Sequence, residues 1–489
     1  MTRPPRRILD DTRREGVATV LITCRCNPSL ICHCKPPRSD EEITPGAQPV
    51  DDPSGGRRMP TRSRTTRAAT TRVPIENLPE ELLPTILSKL DSKQAARTSV
   101  LSSAWEHAWK LSPKLTLDIV AICGAGYRSY HAPLNRQRYV QRFIDSVDAI
   151  LRQRRGNVIE QLELRFDVAD LRRVSRRLGD WVRFAVSSRA KSLTLDVSVT
   201  SLRMYRSDWY ALPLQLLDAG GGVSILQHLH LSCVSLKLPS PSFPKLKRLG
   251  LCYASVSAAD LGHMLSNCPN LEWLDMSNLE WLDMYKVHLD DDDELRVNTP
   301  LSRLLYLRLS NCRVTKIELN ASKLKTFIFQ GDPLPAISLG ETPALCDVNI
   351  HCYMMTLEDA LGSLLDAFRM AQRLSLCCTC ILPEFPWRVE NTSRLSRLRH
   401  LQLILNIRRK HADDVLSIAY FLEAAPLLEE LDIVLALSCK NGAGEPLRSF
   451  PQGQFKYKCL KSLRVCEFRG QKSQSFWYIS WKTLLLCRF

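Results

Sequence analysis

Apolar residues between Leu162 and Val465 recur in one pattern, L-x-x-L-x-L, which is complete at Leu226–Leu231 and Leu304–Leu309. Because the side chains of a strand alternate between its two faces, Leu at every second position predicts a short strand with one buried face. Similar apolar pairs occur at Leu162/Leu164, Leu193/Leu195, Leu249/Leu251, Leu274/Met276, Phe327/Phe329, Val348/Ile350, Leu374/Leu376, Leu401/Leu403, Leu431/Ile433 and Leu463/Val465.

The spacing of these strands indicates how they are connected. From Leu229 to Leu463 the central positions are 20 to 33 residues apart, which leaves room for a strand and a return arc to a parallel neighbour. Such a unit cannot bury its apolar face alone, so neighbouring units share one core. The pattern therefore predicts an α/β fold, a leucine-rich-repeat solenoid of horseshoe shape. Single apolar strands would also suit a Rossmann-type sheet, but ten or more copies of one pattern favour the repeat.

The longest interval between strands contains a duplication. The heptapeptide NLEWLDM stands at Asn270–Met276 and again, eight residues later, at Asn278–Met284. Eight residues cannot hold a strand and its return arc, so only one copy can join the sheet. The first copy follows the turn-forming Asn267–Pro269, and we expect it to be the strand. We expect the second copy to loop out with the acidic run Asp290–Glu294, which is more typical of a solvated loop than of a cation site.

Residues between the buried positions of each strand would face outward on the concave side of the solenoid. They include aromatic and charged side chains, a mixture that protein-binding surfaces favour. Taken singly, each would be equally at home on a solvated sheet. The candidate residues for binding a protein partner are His228, His230, Arg248, Trp273, Tyr306, Arg308, His351 and His400.

Ahead of the repeats, Val73–Asp118 has a helical pattern. Pro84 would disrupt a helix interior, so we expect the first helix to begin near it, where proline is accepted. A segment this short buries little apolar area, and apolar residues left over after self-packing predict a partner surface. The two apolar stripes at helical spacing are Leu82, Leu83, Ile86, Leu87 and Leu90, then Leu101, Trp105 and Trp109.

This segment resembles the F-box, in the form that precedes leucine-rich repeats in plant proteins. Leu78-Pro79-x-Glu81-Leu82, Ile86-Leu87, Thr98–Ser102 and the two tryptophans carry the resemblance, whereas Ser103-Ala104 and Glu106-His107 replace basic residues common in the family. The alternative is an ordinary helical hairpin of a larger core. The resemblance implies docking on the Skp-type adaptor of an SCF (Skp–cullin–F-box) ubiquitin ligase, and through it on a cullin scaffold. The residues implied to bind the adaptor are Leu78, Pro79, Leu82, Ile86, Leu87, Leu101, Trp105 and Trp109.

By this resemblance the chain would be a substrate-recognition subunit whose repeats hold a protein substrate, with catalysis left to its partners. Two other interpretations stay open: a repeat scaffold with a non-functional F-box, and a receptor of the same ligase class gated by a small molecule. The sequence has no G-x-S-x-G, P-loop or H-E-x-x-H motif. We therefore expect no enzymatic activity, catalytic residue or cofactor.

These patterns divide the chain into five parts. The leader has little periodicity, as disordered segments do. Its Cys24, Cys26, Cys32 and Cys34 could hold zinc, but their spacing is not that of a familiar knuckle, and we expect no metal. Within the last part, Tyr457–Gly470 resembles the opening of the FBD region that follows the repeats in many plant F-box proteins. The parts are a disordered basic leader (1–72), the F-box (73–118), a helical linker (119–157), the leucine-rich repeats (158–456) and a partial FBD-like region (457–489).

Charge and composition narrow the partners further. A formal net charge of +16 over 489 residues would suit nucleic acid, but no nucleic-acid-binding motif accompanies the basic leader or the basic region Arg136–Arg183. A solvated surface is the better interpretation. No apolar run reaches the roughly 18 residues of a membrane span, and the 18 cysteines form no disulfide framework. We expect a chain of the nucleus and/or cytoplasm, with no membrane partner.

Overall fold

A computed structural model describes most of the chain between the predicted F-box and the last repeat. Leu78, the four leader cysteines, the second NLEWLDM copy and the end of the chain lie outside the described residues. The described residues are 19–22, 79, 82–87, 89–90, 92–101, 105, 108–124, 133–154, 158–167, 171–198, 209–218, 223–237, 240–277, 294–312, 314–352, 367–380, 395–407, 425–437 and 459–468.

The helices lie mainly in the first half of the chain. Asp118 caps α3 because its Oδ1 accepts from the backbone N–H groups of Val120 at 2.6 Å and Ala121 at 3.0 Å. Among the residues that the structure describes, no helix is long and apolar enough to cross a membrane. The α-helices are α1 (Leu83–Leu87), α2 (Ser92–Arg97), α3 (Ile119–Cys123), α4 (Pro133–Gln153), α5 (Leu171–Ser187) and α6 (Ala258–Ser266), with 3-10 helices at Thr98–Val100, Ala108–Leu111 and Leu214–Leu217.

The strands are short and follow one another throughout the repeats. In chain order they are β1 (Thr19–Ile22), β2 (Lys114–Asp118), β3 (Gln161–Asp167), β4 (Ser192–Ser198), β5 (Tyr210–Pro213), β6 (His228–Ser232), β7 (Val234–Lys237), β8 (Arg248–Cys252), β9 (Trp273–Ser277), β10 (Glu294–Arg296), β11 (Tyr306–Ser310), β12 (Lys316–Glu318), β13 (Thr326–Gln330), β14 (Ala336–Ser338), β15 (Asp347–His351), β16 (Arg373–Cys380), β17 (His400–Ile407), β18 (Glu430–Leu437) and β19 (Ser462–Phe468).

One 14-stranded parallel sheet runs through the repeats, in the order β1-β19-β18-β17-β16-β15-β13-β11-β9-β8-β6-β4-β3-β2. Apart from β1, each strand is followed in space by the next repeat's strand, which is the connectivity of a solenoid. The predicted leucines stand in register: Leu229 lies opposite Leu193 on one side and Leu249 on the other. All three are buried. The leucine-rich-repeat solenoid predicted from the pattern is confirmed.

The return arcs build a second layer behind the large sheet. It contains the helices of the repeats and two smaller parallel sheets, β10-β12-β14 and β5-β7. Helix α6 packs directly against β10, and Gly262 allows this approach because an added Cβ there would lie 2.3 Å from the carbonyl oxygen of Arg296. The buried apolar residues of both layers form one cluster that extends from Leu115 to Leu463.

The first copy of the duplicated heptapeptide forms a strand, as predicted. It supplies β9, with Leu274 and Met276 buried and in register with Leu307 and Leu309 of β11. The second copy lies outside the described residues, so the expectation that it loops out stays a prediction. The expectation of a loop was wrong for Glu294, the last residue of the acidic run. It begins β10, and its carboxylate pairs with Arg296 and Lys316 on the small sheet. Opposite charges on neighbouring strands suit a strand there.

Two further differences concern the first 118 residues. The expectation of disorder throughout residues 1–72 was wrong at Thr19–Ile22, which forms β1 and pairs in parallel with β19. The sequence TVLI is rich in β-formers, and the outer edge of β19 offers unpaired backbone groups. At the other end of the sheet, β2 lies inside the segment predicted as F-box and pairs with β3. The first helix begins at Leu83, with Pro84 in its first turn, as predicted.

Candidate functional site

The F-box segment has a small core of its own, separate from the core of the repeats. Leu83 and Leu87 of α1 pack with Ala95 of α2 and with Trp105, and all four are buried. Ile86, Leu90 and Trp109 pack against this cluster while partly exposed. A cluster of this size leaves little apolar burial to stabilise the segment, so contacts to the repeats and to a partner would matter for its stability.

The structure separates the predicted adaptor-binding residues into exposed and buried groups. Leu82 is 46% exposed and Leu101 43% exposed, and Pro79 also lies at the surface. Ile86 and Trp109 are half-buried. These residues offer apolar surface that the F-box does not cover itself, as the sequence predicted.

Leu87 and Trp105, which were predicted to bind the adaptor, lie in the core of the F-box and not on its surface. At 0% and 2% exposure they fill the F-box core, because their side chains point into the packing between the short helices. They would support the binding surface rather than touch a partner. Val100, at 86% exposure, belongs to the surface and was not on the predicted list. Its position beside Leu101 in Thr98–Ser102 was the available signal.

A buried arginine joins the F-box to the repeats. Arg154, just after α4, is 1% exposed. Its Nη1 donates to the carbonyl oxygen of Trp109 at 2.9 Å, and its Nη2 donates to that of Ser112. Burial lowers the pKa of Arg154 to about 10, so the guanidinium stays charged at neutral pH. Arg154 thus ends the 3-10 helix Ala108–Leu111 and ties it to α4.

Six of the eight predicted substrate residues come together on the open face of the large sheet. These six side chains form two rows that run across the strands, and neighbouring strands are about 4.8 Å apart. The remaining two, His351 on β15 and His400 on β17, lie farther along the sheet. The first row is His228, Arg248, Trp273 and Tyr306, and the second is His230, Gly250, Asp275 and Arg308.

The centre of this face is aromatic. The rings of Trp273 and Tyr306 stack, with centroids 5.3 Å apart and planes 12° apart. Burial lowers the pKa of both His228 and His230, with Arg248 adding to the effect at His228, so both rings are neutral at pH 7. Burial also raises the pKa of Asp275, an effect that nearby Arg308 opposes.

Farther along the same face, charges pair with one another. Arg373 forms a bidentate pair with Asp347, and Arg464 pairs with Asp432 at 2.6 Å. His400 Nδ1 lies 3.1 Å from the Glu430 carboxylate. Such exposed pairs contribute little to stability, but a partner binding there would have to displace or match them.

Two matches to known families cover most of the chain. Residues 150–474 match the family described as At1g61320/AtMIF1, LRR domain, and residues 75–117 match the F-box domain. The first match covers well over half of the 489 residues. This chain belongs to that leucine-rich-repeat family. Proteins that combine an F-box with leucine-rich repeats are generally non-catalytic adaptors: the F-box indicates binding to a Skp-type adaptor, and the repeats suggest protein interactions.

Curated relatives of this leucine-rich-repeat chain come from Arabidopsis thaliana. Putative F-box/FBD/LRR-repeat protein At4g26350 is 28% identical over 230 residues, 46% of this chain and 45% of the relative. FBD-associated F-box protein At5g56370 is 27% identical over 309 residues, 62% of each chain. The chain thus spans about half to three fifths of these relatives' own length. A solved internalin (inlF) from Listeria monocytogenes is similar over 50% of this chain and 82% of that chain, at 14% identity and a TM-score of 0.23.

Three residues were not predicted from the sequence: Gly250 and Ile328 on the open face of the sheet, and Arg154, which joins the F-box to the repeats. Gly250 makes room for a neighbour, because an added Cβ would lie 2.3 Å from Nδ1 of His230. Ile328 on β13 lies beside Arg308 in the second row; it stands where the pattern predicts an outward position, and this was the available signal. Nothing in the sequence distinguishes buried Arg154 from the other arginines around it. Within the described part, no three His, Cys, Asp or Glu side chains group as a metal site.

Proposed function

We propose that this chain is the substrate-recognition subunit of an SCF-type ubiquitin ligase of the nucleus and/or cytoplasm. Its F-box binds a Skp-type adaptor, and through it a cullin scaffold, while the open face of the repeats binds a protein substrate. The observation that carries the proposal is the apolar surface left by the F-box core, formed by Leu82, Val100 and Leu101. Burying a leucine in an interface contributes up to about 1.5–3 kcal/mol.

The joint between the two parts supports the same function. A ligase subunit with no catalytic chemistry accelerates transfer by holding the substrate near the reacting groups, and this requires a fixed spacing. The guanidinium of Arg154, just after α4, donates hydrogen bonds to the backbone carbonyl oxygens of Trp109 and Ser112 in the F-box segment. Only Ser112 and Pro113 separate the 3-10 helix that ends at Leu111 from β2, which begins at Lys114, so little free chain lies between the F-box helices and the sheet.

Co-purification of the full chain with a recombinant plant Skp-type adaptor tests this proposal. We expect wild type to retain the adaptor and Leu101→Asp to lose at least about tenfold in affinity, because a carboxylate would be desolvated in the interface. Val158→Asp is the matched control, since Val158 is 68% exposed but lies outside the F-box. Equal adaptor recovery by all three proteins, or none by wild type, would refute the proposal.

A further inference from the structure

The open face of the large sheet is uneven in how its charges are satisfied. Toward β3 and β4, Arg165 pairs with Glu163 at 2.6 Å and with Asp196 at 3.7 Å. Toward the other end, Arg373 and Arg464 have carboxylate partners. Between these regions stand Arg248 and Arg308, and neither forms an ion pair with any other described residue.

These two arginines keep donors available. Arg248 is exposed at the start of β8, and Arg308 is half-buried on β11. Nε of Arg308 donates to Ser310 Oγ at 3.1 Å, which uses one of the five N–H donors of a guanidinium. A planar guanidinium with remaining donors is suited to bidentate contact with a carboxylate.

An apolar platform lies between and beside the two arginines. Stacked Trp273 and Tyr306 separate Arg248 from Arg308. Half-buried Ile328 stands next to Arg308 on β13, and Leu305, 37% exposed, directly precedes Tyr306. Aromatic residues with arginine and a few aliphatic neighbours are the composition of energetically dominant interface centres.

The remaining ionisable groups leave this region with an excess of positive charge at neutral pH. His228 and His230 are held neutral by burial, which lowers the pKa of each. Lys247 and Glu272 lie 3.9 Å apart and offset each other. Asp275 is the one carboxylate in the rows between the two arginines, and burial raises its pKa. Two guanidinium groups therefore stand against one carboxylate.

We infer that Arg248, Trp273, Tyr306, Arg308 and Ile328, here called the aromatic–arginine patch, bind an extended acidic segment of a protein partner. The segment presents an apolar or aromatic side chain to the stacked rings and carboxylates to the two arginines. Their strands, β8 and β11, are two strand spacings apart, and Arg308 stands two residues farther along the strand than the row of Arg248, so the two positions are roughly 12 Å apart. An extended chain covers this distance in about three to four residues, so the two acidic residues flank the anchor closely. This inference rests on the proposed function, since the partner is the ligase substrate.

A phage-displayed library of random dodecapeptides, selected against the immobilised full chain, tests the inference. We expect enriched peptides to carry Phe, Tyr, Trp or Leu within three residues of Asp or Glu. A synthetic peptide of the consensus, measured by fluorescence anisotropy, should bind Arg248→Ala/Arg308→Ala at least about tenfold more weakly than wild type. Arg373→Ala is the control, because Arg373 already has its carboxylate partner outside the patch, and it should bind as wild type does.

A charge-reversal variant tests the sign of the preferred peptide, and a variant of the F-box separates this inference from the proposed function. Arg248→Glu/Arg308→Glu should enrich basic rather than acidic peptides. Basic or neutral peptides enriched by wild type, or no enrichment, would overturn the inference. Enrichment only after Asp290–Asp293 is changed to Asn would also overturn it, since the chain's own acidic run would then be the occupant. Leu101→Asp separates the two proposals: it should lose the adaptor yet select the same acidic peptides.

Discussion

His230 illustrates how a single polar residue on the open face is constrained by its neighbours. Its ring lies over Gly250, where a side chain would collide with it, and its Nε2 lies 3.4 Å from Ser232 Oγ. Burial lowers the pKa of His230, and the nearby carboxylates of Asp196, Asp275 and Glu163 oppose this effect without cancelling it. The folded protein therefore binds a proton at His230 less readily than the unfolded chain does.

This difference predicts a pH dependence of stability. The pKa of His230 in the folded protein lies below its unfolded value of 6.5. Well above pH 6.5 the ring is neutral in both states and does not change the free energy of unfolding. As the pH decreases through 6.5, the unfolded chain binds the proton first, so the free energy of unfolding falls. Urea unfolding of wild type should therefore show a falling free energy from pH 7.5 to pH 5.5, about two decades of proton activity. His230→Gln should flatten the fall, whereas His263→Gln, at an exposed position of α6, should not. Parallel curves for wild type and His230→Gln would show that burial of this ring is unimportant.

At the scale of elements, the strands of the large sheet could be predicted from the sequence, but the contact between Arg154 and the F-box could not. Leu229, Leu274 and Leu307 sit where the alternating pattern placed them, because a half-buried strand imposes a period of two on its sequence. The return arcs have no such period, so β10, β12 and β14 left no clear signal. The guanidinium of Arg154 binds two backbone carbonyl oxygens that are distant in sequence. Every residue has a backbone carbonyl, so the sequence gives no sign of which ones an arginine will bind.

The joint gives the prediction that belongs to this scale. Arg154→Met keeps the length of the side chain but leaves the carbonyls of Trp109 and Ser112 without their donor, a cost of about 1–3 kcal/mol for each buried unsatisfied group. Hydrogen exchange should rise in Leu83–Leu111, and adaptor affinity should fall, while the repeats unfold as before. Arg152→Met is the control, since exposed Arg152 bonds only within its own helix in the described structure. Unchanged exchange in the F-box of Arg154→Met would mean that the joint is held elsewhere.

At the scale of the whole molecule, the two cores differ greatly in size and are coupled at one end. The repeat core runs from Leu115 to Leu463, whereas the F-box core contains Leu83, Leu87, Ala95 and Trp105. In a solenoid each strand is stabilised mainly by its nearest neighbours, so the terminal strands are the weakest. At the first end, β2 is the last part of the F-box segment itself. At the other end, β19 is followed in the sheet only by β1.

The last prediction concerns that second end. Thr19–Ile22 pairs with Ser462–Val465, so removal of residues 1–72 should uncover the edge of β19. An uncovered edge offers unpaired N–H and C=O groups, which promotes exchange with solvent and association between chains. We expect the truncated chain to exchange amide hydrogens faster in β19, to self-associate as its concentration rises, and to bind the adaptor as the full chain does. A version with Val20→Pro and Leu21→Pro in the full chain should behave like the truncation, because proline cannot donate to the ladder. Equal exchange of β19 in all three proteins would show that the leader does not cover this edge.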